Sequence, residues 1–432
     1  MNPTSIENHL KLVLGQWMII IAIAWICGRL GRRVGQPMAV GEILAGLILG
    51  PSAFGALWPE GFAAVFPPES QQSMQLLGKL GLIFLLFQVG MEFDFAHLQS
   101  TPRTVTAVAL MGLLAPMAGG WLIGPWLHRE FAPEVPYLGF QLFVCVALSI
   151  TSLPVMGRML LELKLERTPL GAMAISAAAL DDVVGWVLLA VVTALATSGF
   201  AWQPLLGQVV GLLVFFAGII HAVGPLVRAA WRRMSKAANN DLPPAFLALL
   251  LVVLLGACLV SNRLGVFSIF GAFLLGVSLH REPGLVKAWR ERLSDFALVA
   301  LVPIFFTNTG LRTQIGALSG LTAWLGCLVV TGVAVVGKLG GCFLGARLTG
   351  QPVRQAACIA ALMNTRALMG LVAINVGADL GLLPKELFTM FVIMALVTTA
   401  MTGPLLHLWL PRELIAAQPL SEWGVDSQTK ST

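Results

Sequence analysis

Charged side chains are scarce in this chain: Asp, Glu, Lys and Arg together make up 11% of its 432 residues. A soluble domain carries about 25%. With 57% hydrophobic residues and a mean hydropathy of +0.85, the chain reads as an integral membrane protein. Cysteine is sparse and dispersed. Cys27, Cys145, Cys258, Cys327, Cys342 and Cys358 sit in apolar segments without a CxxC pair, which excludes a recognisable zinc or redox motif. No GxGxxG follows a strand-like run and no GxxxxGK[ST] occurs, so no nucleotide cofactor and no ATP-driven pump is expected. The net charge of +6 is spread over short connecting loops instead of one patch, which argues against a nucleic-acid partner. About twenty residues follow Pro411, too few for a soluble regulatory domain, so 1–432 is read as one transmembrane unit.

Long apolar runs are what the chain has in quantity. Windows able to cross a bilayer lie near 12–30, 36–50, 74–93, 104–127, 138–160, 169–196, 204–229, 243–262, 265–280, 295–311, 315–346, 354–377 and 386–410, about thirteen in all. The first is followed by arginines, not a small-residue cleavage site, and reads as a retained span. With the N-terminus outside and the C-terminus cytoplasmic, nineteen of 27 Lys and Arg fall in inner loops or the inner tail. Five (Lys11, Arg129, Arg263, Arg312 and Lys385) fall outside, a bias of the kind that sets orientation. Lys79, Lys338 and Arg366 remain at membrane depth, as do Glu42, Asp181 and Asp182, with Glu92 and Asp94 near an inner edge. Ionisable groups at that depth face a bundle interior and pair with one another.

Asp181 and Asp182 stand in the middle of an apolar run. Each ionised carboxylate there costs roughly 2.5–3.5 kcal/mol on the lenient insertion scale. Adjacent helical residues point about 100° apart, so one acid can look into an aqueous cavity while the other meets a neighbouring helix. Two further windows are interrupted. Pro154, after Thr151 and Ser152, lacks an N–H and crowds the Ile150 carbonyl, so the fifth window either kinks or unwinds there. The twelfth carries Asn364-Thr365-Arg366 about ten residues from its start. Interrupted helices in the two halves of a membrane chain point to a transporter with inverted repeats. Arg366 either serves a half-helix end or pairs with Glu42. Lys338, between glycines, either reaches the surface or takes Asp181 or Asp182 as partner. His221 is read as a core histidine more readily than as a proton relay, and the polar end of the tenth window, 307–310, either lines a cavity or satisfies backbone.

Several stretches together resemble the monovalent cation:proton antiporter-2 family. They are Pro37-Met38-Ala39-Val40-Gly41-Glu42-Ile43-Leu44-Ala45-Gly46 through Gly50-Pro51-Ser52, and Ala147-Leu148-Ser149-Ile150-Thr151-Ser152-Leu153-Pro154-Val155. The Asp181-Asp182 pair, Asn364-Thr365-Arg366 and Met394-Ala395-Leu396-Val397-Thr398-Thr399 complete the series, in order and over nearly the whole chain. The resemblance implies an all-α antiporter fold of inverted repeats with two crossed discontinuous helices, and a homodimer in a bacterial cell membrane. By it, helices about 12–93 and 243–311 form a dimerisation scaffold, about 104–196 and 315–410 a moving core, and about 204–229 a linker. It also implies that Asp182 binds the cation while Asp181 pairs with Lys338.

The expectation is a secondary transporter, not an enzyme. It exchanges Na⁺ (or K⁺ or Li⁺) for protons at Asp181 and Asp182, with Thr151 and Ser152 helping to hold the ion. The closing third resembles the plant cation/proton exchangers and leaves K⁺ open. Two rivals remain: a K⁺ efflux channel and a Na⁺-coupled organic solute symporter.

Overall fold

The computed structural model describes residues 3–33, 36, 38–92, 102–162, 165, 168–198, 202–236, 242–264 and 268–410. Among these residues the chain is helical, with no strand. In order the helices are α1 (Pro3–Arg33), α2 (Met38–Leu49), α3 (Phe54–Leu57), α4 (Pro59–Val65), α5 (Pro68–Glu92), α6 (Pro102–Phe131) and α7 (Tyr137–Ser149). Then come α8 (Leu153–Glu162), α9 (Pro169–Ser198), α10 (Trp202–Gly218), α11 (Gly224–Lys236), α12 (Pro244–Arg263), α13 (Ser268–Leu279) and α14 (Pro283–Trp289). The last are α15 (Val302–Arg312), α16 (Gly320–Leu348), α17 (Val353–Met363), α18 (Ala367–Asp379) and α19 (Lys385–Trp409). A π-helical turn, Ile219–Val223, joins α10 to α11. Proline is the first helical residue of α5, α6, α9, α12 and α14, where its missing N–H has no partner to lose.

Ten helical stretches among the described residues are long and apolar enough to span a membrane, or eleven if the pair Pro283–Ser294 and Ala297–Ala317, bent by 43°, counts as one. Thirteen full-length spans are therefore not confirmed, although each window holds a helix. Windows five and nine hold the shorter apolar helices Tyr137–Ser149 and Ser268–Leu279. Window five falls short because its helix stops at Ser149 and restarts at Leu153.

One pattern occurs twice: a long helix, a broken helix, a long helix. It is α6, α7/α8, α9 in the first half and α16, α17/α18, α19 in the second. The two leading helices pack closely because glycine recurs every fourth residue. Gly337, Gly341 and Gly345 of α16 lie against Pro116, Met111 and Ala107 of α6; a Cβ on Gly337 would sit 2.7 Å from the Pro116 Cα. Pro125 inside α6 and Pro404 inside α19 each free a carbonyl four residues back, and a glutamine amide takes it up. Gln141 Nε2 donates to Trp121 O, opposite Pro125, at 3.0 Å, and Gln36 Nε2 to Ala400 O, opposite Pro404, at 3.1 Å.

Close α6–α16 packing sets the position of Lys338, so it can be tested. Gly341→Leu should lower the thermal midpoint of the detergent-solubilised protein, by about 1–3 kcal/mol of overpacking strain. Gly332→Ala, on the same helix with nothing within 4 Å of the new methyl, should leave it unchanged or raise it.

Candidate functional site

Both broken helices open at the residues that the sequence marked. In the first, Ile150, Thr151 and Ser152 leave the helix, and Pro154 follows as the second residue of α8. Its missing N–H is harmless there, so proline ends one helix and starts the next without an orphaned donor. In the second, Asn364, Thr365 and Arg366 separate α17 from α18. The two breaks cross and satisfy each other: Ser152 N–H donates to Thr365 O at 2.7 Å, and Thr151 Oγ1 donates to Met363 O at 3.1 Å. Of the alternatives for the Pro154 window, unwinding is the one found.

Exposed helix ends carry partial charge, about +0.5 at an N-terminus and −0.5 at a C-terminus. The C-terminal end of α7 is met by two cations. Lys338 Nζ donates to Ser149 O at 2.5 Å, and Arg366 donates to Leu148 O and, at 2.9 Å, to Ala334 O. Arg366 thus serves a half-helix end. Donors at the start of the α8 segment meet the carboxylates: Thr151 N–H donates to Asp181 Oδ2 at 2.9 Å and Leu153 N–H to Asp182. Asp181 Oδ2 also accepts from Lys338 Nζ at 2.9 Å, so Lys338 is paired and does not reach the surface. Thr399 Oγ1 accepts from the Arg366 and Ala367 amides at 3.2 and 3.0 Å, and Asn364 Nδ2 donates to Thr398 O at 3.3 Å.

All these groups are withdrawn from solvent. Asp181 is 1% exposed, Asp182 2%, and Lys338, Arg366, Thr151, Ser152, Asn364 and Thr365 are at 0%. Several buried oxygens have no donor: Asp181 Oδ1, Asp182 Oδ1, Ser152 Oγ and Asn364 Oδ1. Such hard oxygen atoms suit an alkali cation or protons, not a soft metal. Thr151 is more committed than Ser152, since its hydroxyl holds the crossing and its amide holds Asp181, whereas the Ser152 hydroxyl is unpartnered. Beside Asp182 is a pocket of about 10 Å³ lined by Ile150, Asp182, Gly185, Trp186, Leu189 and Met369. A larger cavity, about 600 Å³, opens between α9, the Ile219–Val223 turn and α13.

Other sequence candidates lie elsewhere. Lys79 is not in the core: its side chain is 63% exposed and faces Asp379 at 3.8 Å. Asp379 also takes Arg312 at 3.0 Å, and Arg312 reaches Asn375 at 2.9 Å, tying α5 and α15 to α18. His221 is exposed on the larger cavity, not a core histidine. Glu92 pairs with Arg290 at 2.7 Å. Asp94 lies outside the described residues. Thr307 and Thr309 donate to Glu42 O and Phe305 O at 3.3 and 3.0 Å, so they satisfy backbone. Thr398 and Thr399 carry no role in the sequence pattern beyond the family stretch; two adjacent hydroxyl-bearing residues inside an apolar run are the available signal.

Removing Lys338 leaves a buried carboxylate without its cation. Lys338→Ala should destabilise the protein by about 3–5 kcal/mol, with Asp181→Asn/Lys338→Ala recovering part of the loss in a double-mutant cycle of thermal stability.

Residues 18–411 match the family of transmembrane sodium/hydrogen exchangers. Over 402 residues the chain is 33% identical to the Na⁺/H⁺ antiporter NhaS4 of Synechocystis, covering 92% of this chain and 97% of that one. It is 35% identical to cation/H⁺ antiporter 18 of Arabidopsis thaliana, covering 93% of this chain and 49% of the relative. K⁺/H⁺ antiporter 1 of Saccharomyces cerevisiae is 28% identical, with 94% and 47% covered. The chain thus spans about half the length of these plant and yeast relatives. Its fold is similar to that of the sodium proton antiporter MjNhaP1 from Methanocaldococcus jannaschii, with TM-score 0.67, 15% identity, and 94% and 99% of the two chains covered. The repeated broken helices and the sequence agree: this protein belongs to the sodium/hydrogen exchanger family.

Proposed function

We propose that the protein is a secondary cation/proton antiporter in which Asp182 holds a proton and an alkali cation by turns. The observation that carries this is a buried carboxylate at a helix crossing, with Oδ1 unpartnered, beside a carboxylate already neutralised by lysine. A lone ionised carboxylate in that setting is not stable, so it takes up either a proton or a cation. The two ligands need the same atom and exclude each other. Mutual exclusion gives exchange, not co-transport.

Charge accounting narrows the stoichiometry. Asp181, Asp182, Lys338 and Arg366 sum to zero when all are ionised, and one proton or one Na⁺ on Asp182 each makes the cluster +1. One-for-one exchange at Asp182 alone is electroneutral. Two protons per cation require a second titrating group, and Lys338 is placed for it: when a cation draws on Asp181, the ammonium loses its partner and its proton. Exchange is then electrogenic, gaining about 2.3 kcal/mol per net charge per 100 mV.

The direction proposed is cytoplasmic Na⁺ out for external protons in, in a bacterial cell membrane, N-terminus outside and C-terminus cytoplasmic. The helices about 104–196 and 315–410 then move as a core carrying both crossings. Those about 12–93 and 243–311 form the dimer scaffold, linked by about 204–229. Na⁺ is favoured because a relative matched over 97% of its length is named a Na⁺/H⁺ antiporter; K⁺ is the second reading, supported by the yeast relative's name.

In proteoliposomes carrying a pH-sensitive dye, Na⁺, K⁺ and Li⁺ pulses measure exchange directly. Asp182→Asn should abolish cation-dependent proton flux, and robust flux in that variant refutes the assignment. Lys338→Ala, where it folds, should turn electrogenic exchange electroneutral; a membrane-potential response that survives removes lysine from the stoichiometry. Cation flux without proton flux marks a channel.

A further inference from the structure

Trp186 stands one helical turn after Asp182, on the same face of α9. It is 4% exposed, and its indole nitrogen has no hydrogen-bond partner. Burying a donor unmet costs about 1–3 kcal/mol, and tryptophan N–H groups usually find an acceptor when buried. The ring is held in place from the α13 side by Phe270, with centroids 6.3 Å apart. Trp186 and Asp182 line the same small pocket, whose other walls are Ile150, Gly185, Leu189 and Met369. At about 10 Å³ it admits one water-sized molecule.

We propose that Trp186 is a selectivity-determining positioning residue: its indole N–H anchors a single water that stays on the cation bound at Asp182. An indole nitrogen donates only and cannot itself ligate a cation, so it acts through an intervening oxygen. A water there has three polar neighbours. It accepts from the indole N–H, donates to Asp182 Oδ1, and turns its remaining lone pair to the cation; a buried water needs two to four such partners. The rest of the pocket is apolar and offers no competing site. Because a small ion holds its last water more tightly than a large one, an anchored water favours Li⁺ and Na⁺ over K⁺. This rests on Asp182 being the cation site.

The test uses the full-length protein in proteoliposomes with NaCl, KCl and LiCl as the cations. Trp186→Phe keeps an aromatic ring and removes the donor. It should raise KM for Na⁺ by about three- to tenfold, the range of one neutral hydrogen bond, and KM for K⁺ less than about twofold. The maximal rates should fall less than the Na⁺ affinity. Gly185→Ala reaches the water from the other wall, since its Cβ would lie 3.2 Å from Ile150 Cγ1 inside the same pocket. It should shift the Na⁺/K⁺ ratio in the same direction. An equal loss for all three cations, or an unchanged ratio in either folded variant, overturns the proposal; if Trp186→Phe does not accumulate, Gly185→Ala alone decides. A wild-type protein without cation-coupled proton flux, or an active Asp182→Asn, instead overturns the reading of Asp182.

Discussion

Charge in a medium that cannot screen it is the constraint behind this architecture. Asp181 and Lys338 meet at 2.9 Å with no exposure on either side chain, and each is held by backbone as well: Thr151 N–H on the acid, Ser149 O on the base. Those backbone groups are free only because the first broken helix stops at Ser149. Break and ion pair therefore require each other. A continuous helix would have no carbonyl or amide to offer, and a break without Lys338 and Arg366 would leave carbonyls bare in a dry interior.

The second break does for the first what water does in a soluble protein. Thr365 O and Met363 O accept from Ser152 and Thr151, while one hydroxyl of α19, that of Thr399, takes both amides that open α18. What is left over after this mutual satisfaction is mostly oxygen (Asp181 Oδ1, Asp182 Oδ1, Ser152 Oγ and Asn364 Oδ1), with Arg366 Nε and the Trp186 indole nitrogen as the unpartnered donors. On the proposed reading, a cation would draw on those oxygens. The glycine stripe of α16 belongs to the same logic, because only a close approach to α6 brings the lysine stem into the crossing.

Much of this was legible in the sequence, for identifiable reasons. Ionisable residues are so expensive inside a bilayer that Asp181, Asp182, Lys338 and Arg366 stood out against an apolar background. The breaks were legible because Pro154 forbids a continuous ladder and Asn364-Thr365-Arg366 is too polar for a lipid-facing turn. Lys79 misled because position along a run does not report which way a side chain points; it is exposed and faces Asp379. All thirteen windows hold helices, but length and apolarity alone qualify ten or eleven of them as spans, because two are short.

The sequence alone determined that this chain lies in a membrane, that it is helical, and that its few deep charges have work to do, because hydrophobicity and chain chemistry are local properties. Which acid takes the lysine was implied by the resemblance and not by side-chain chemistry; tertiary structure alone decided which carbonyls take Arg366, and that Trp186 shares a pocket with Asp182. Those outcomes depend on contacts between residues up to 218 positions apart. Their partners are chosen by how helices cross in space, and no window of the chain contains that information.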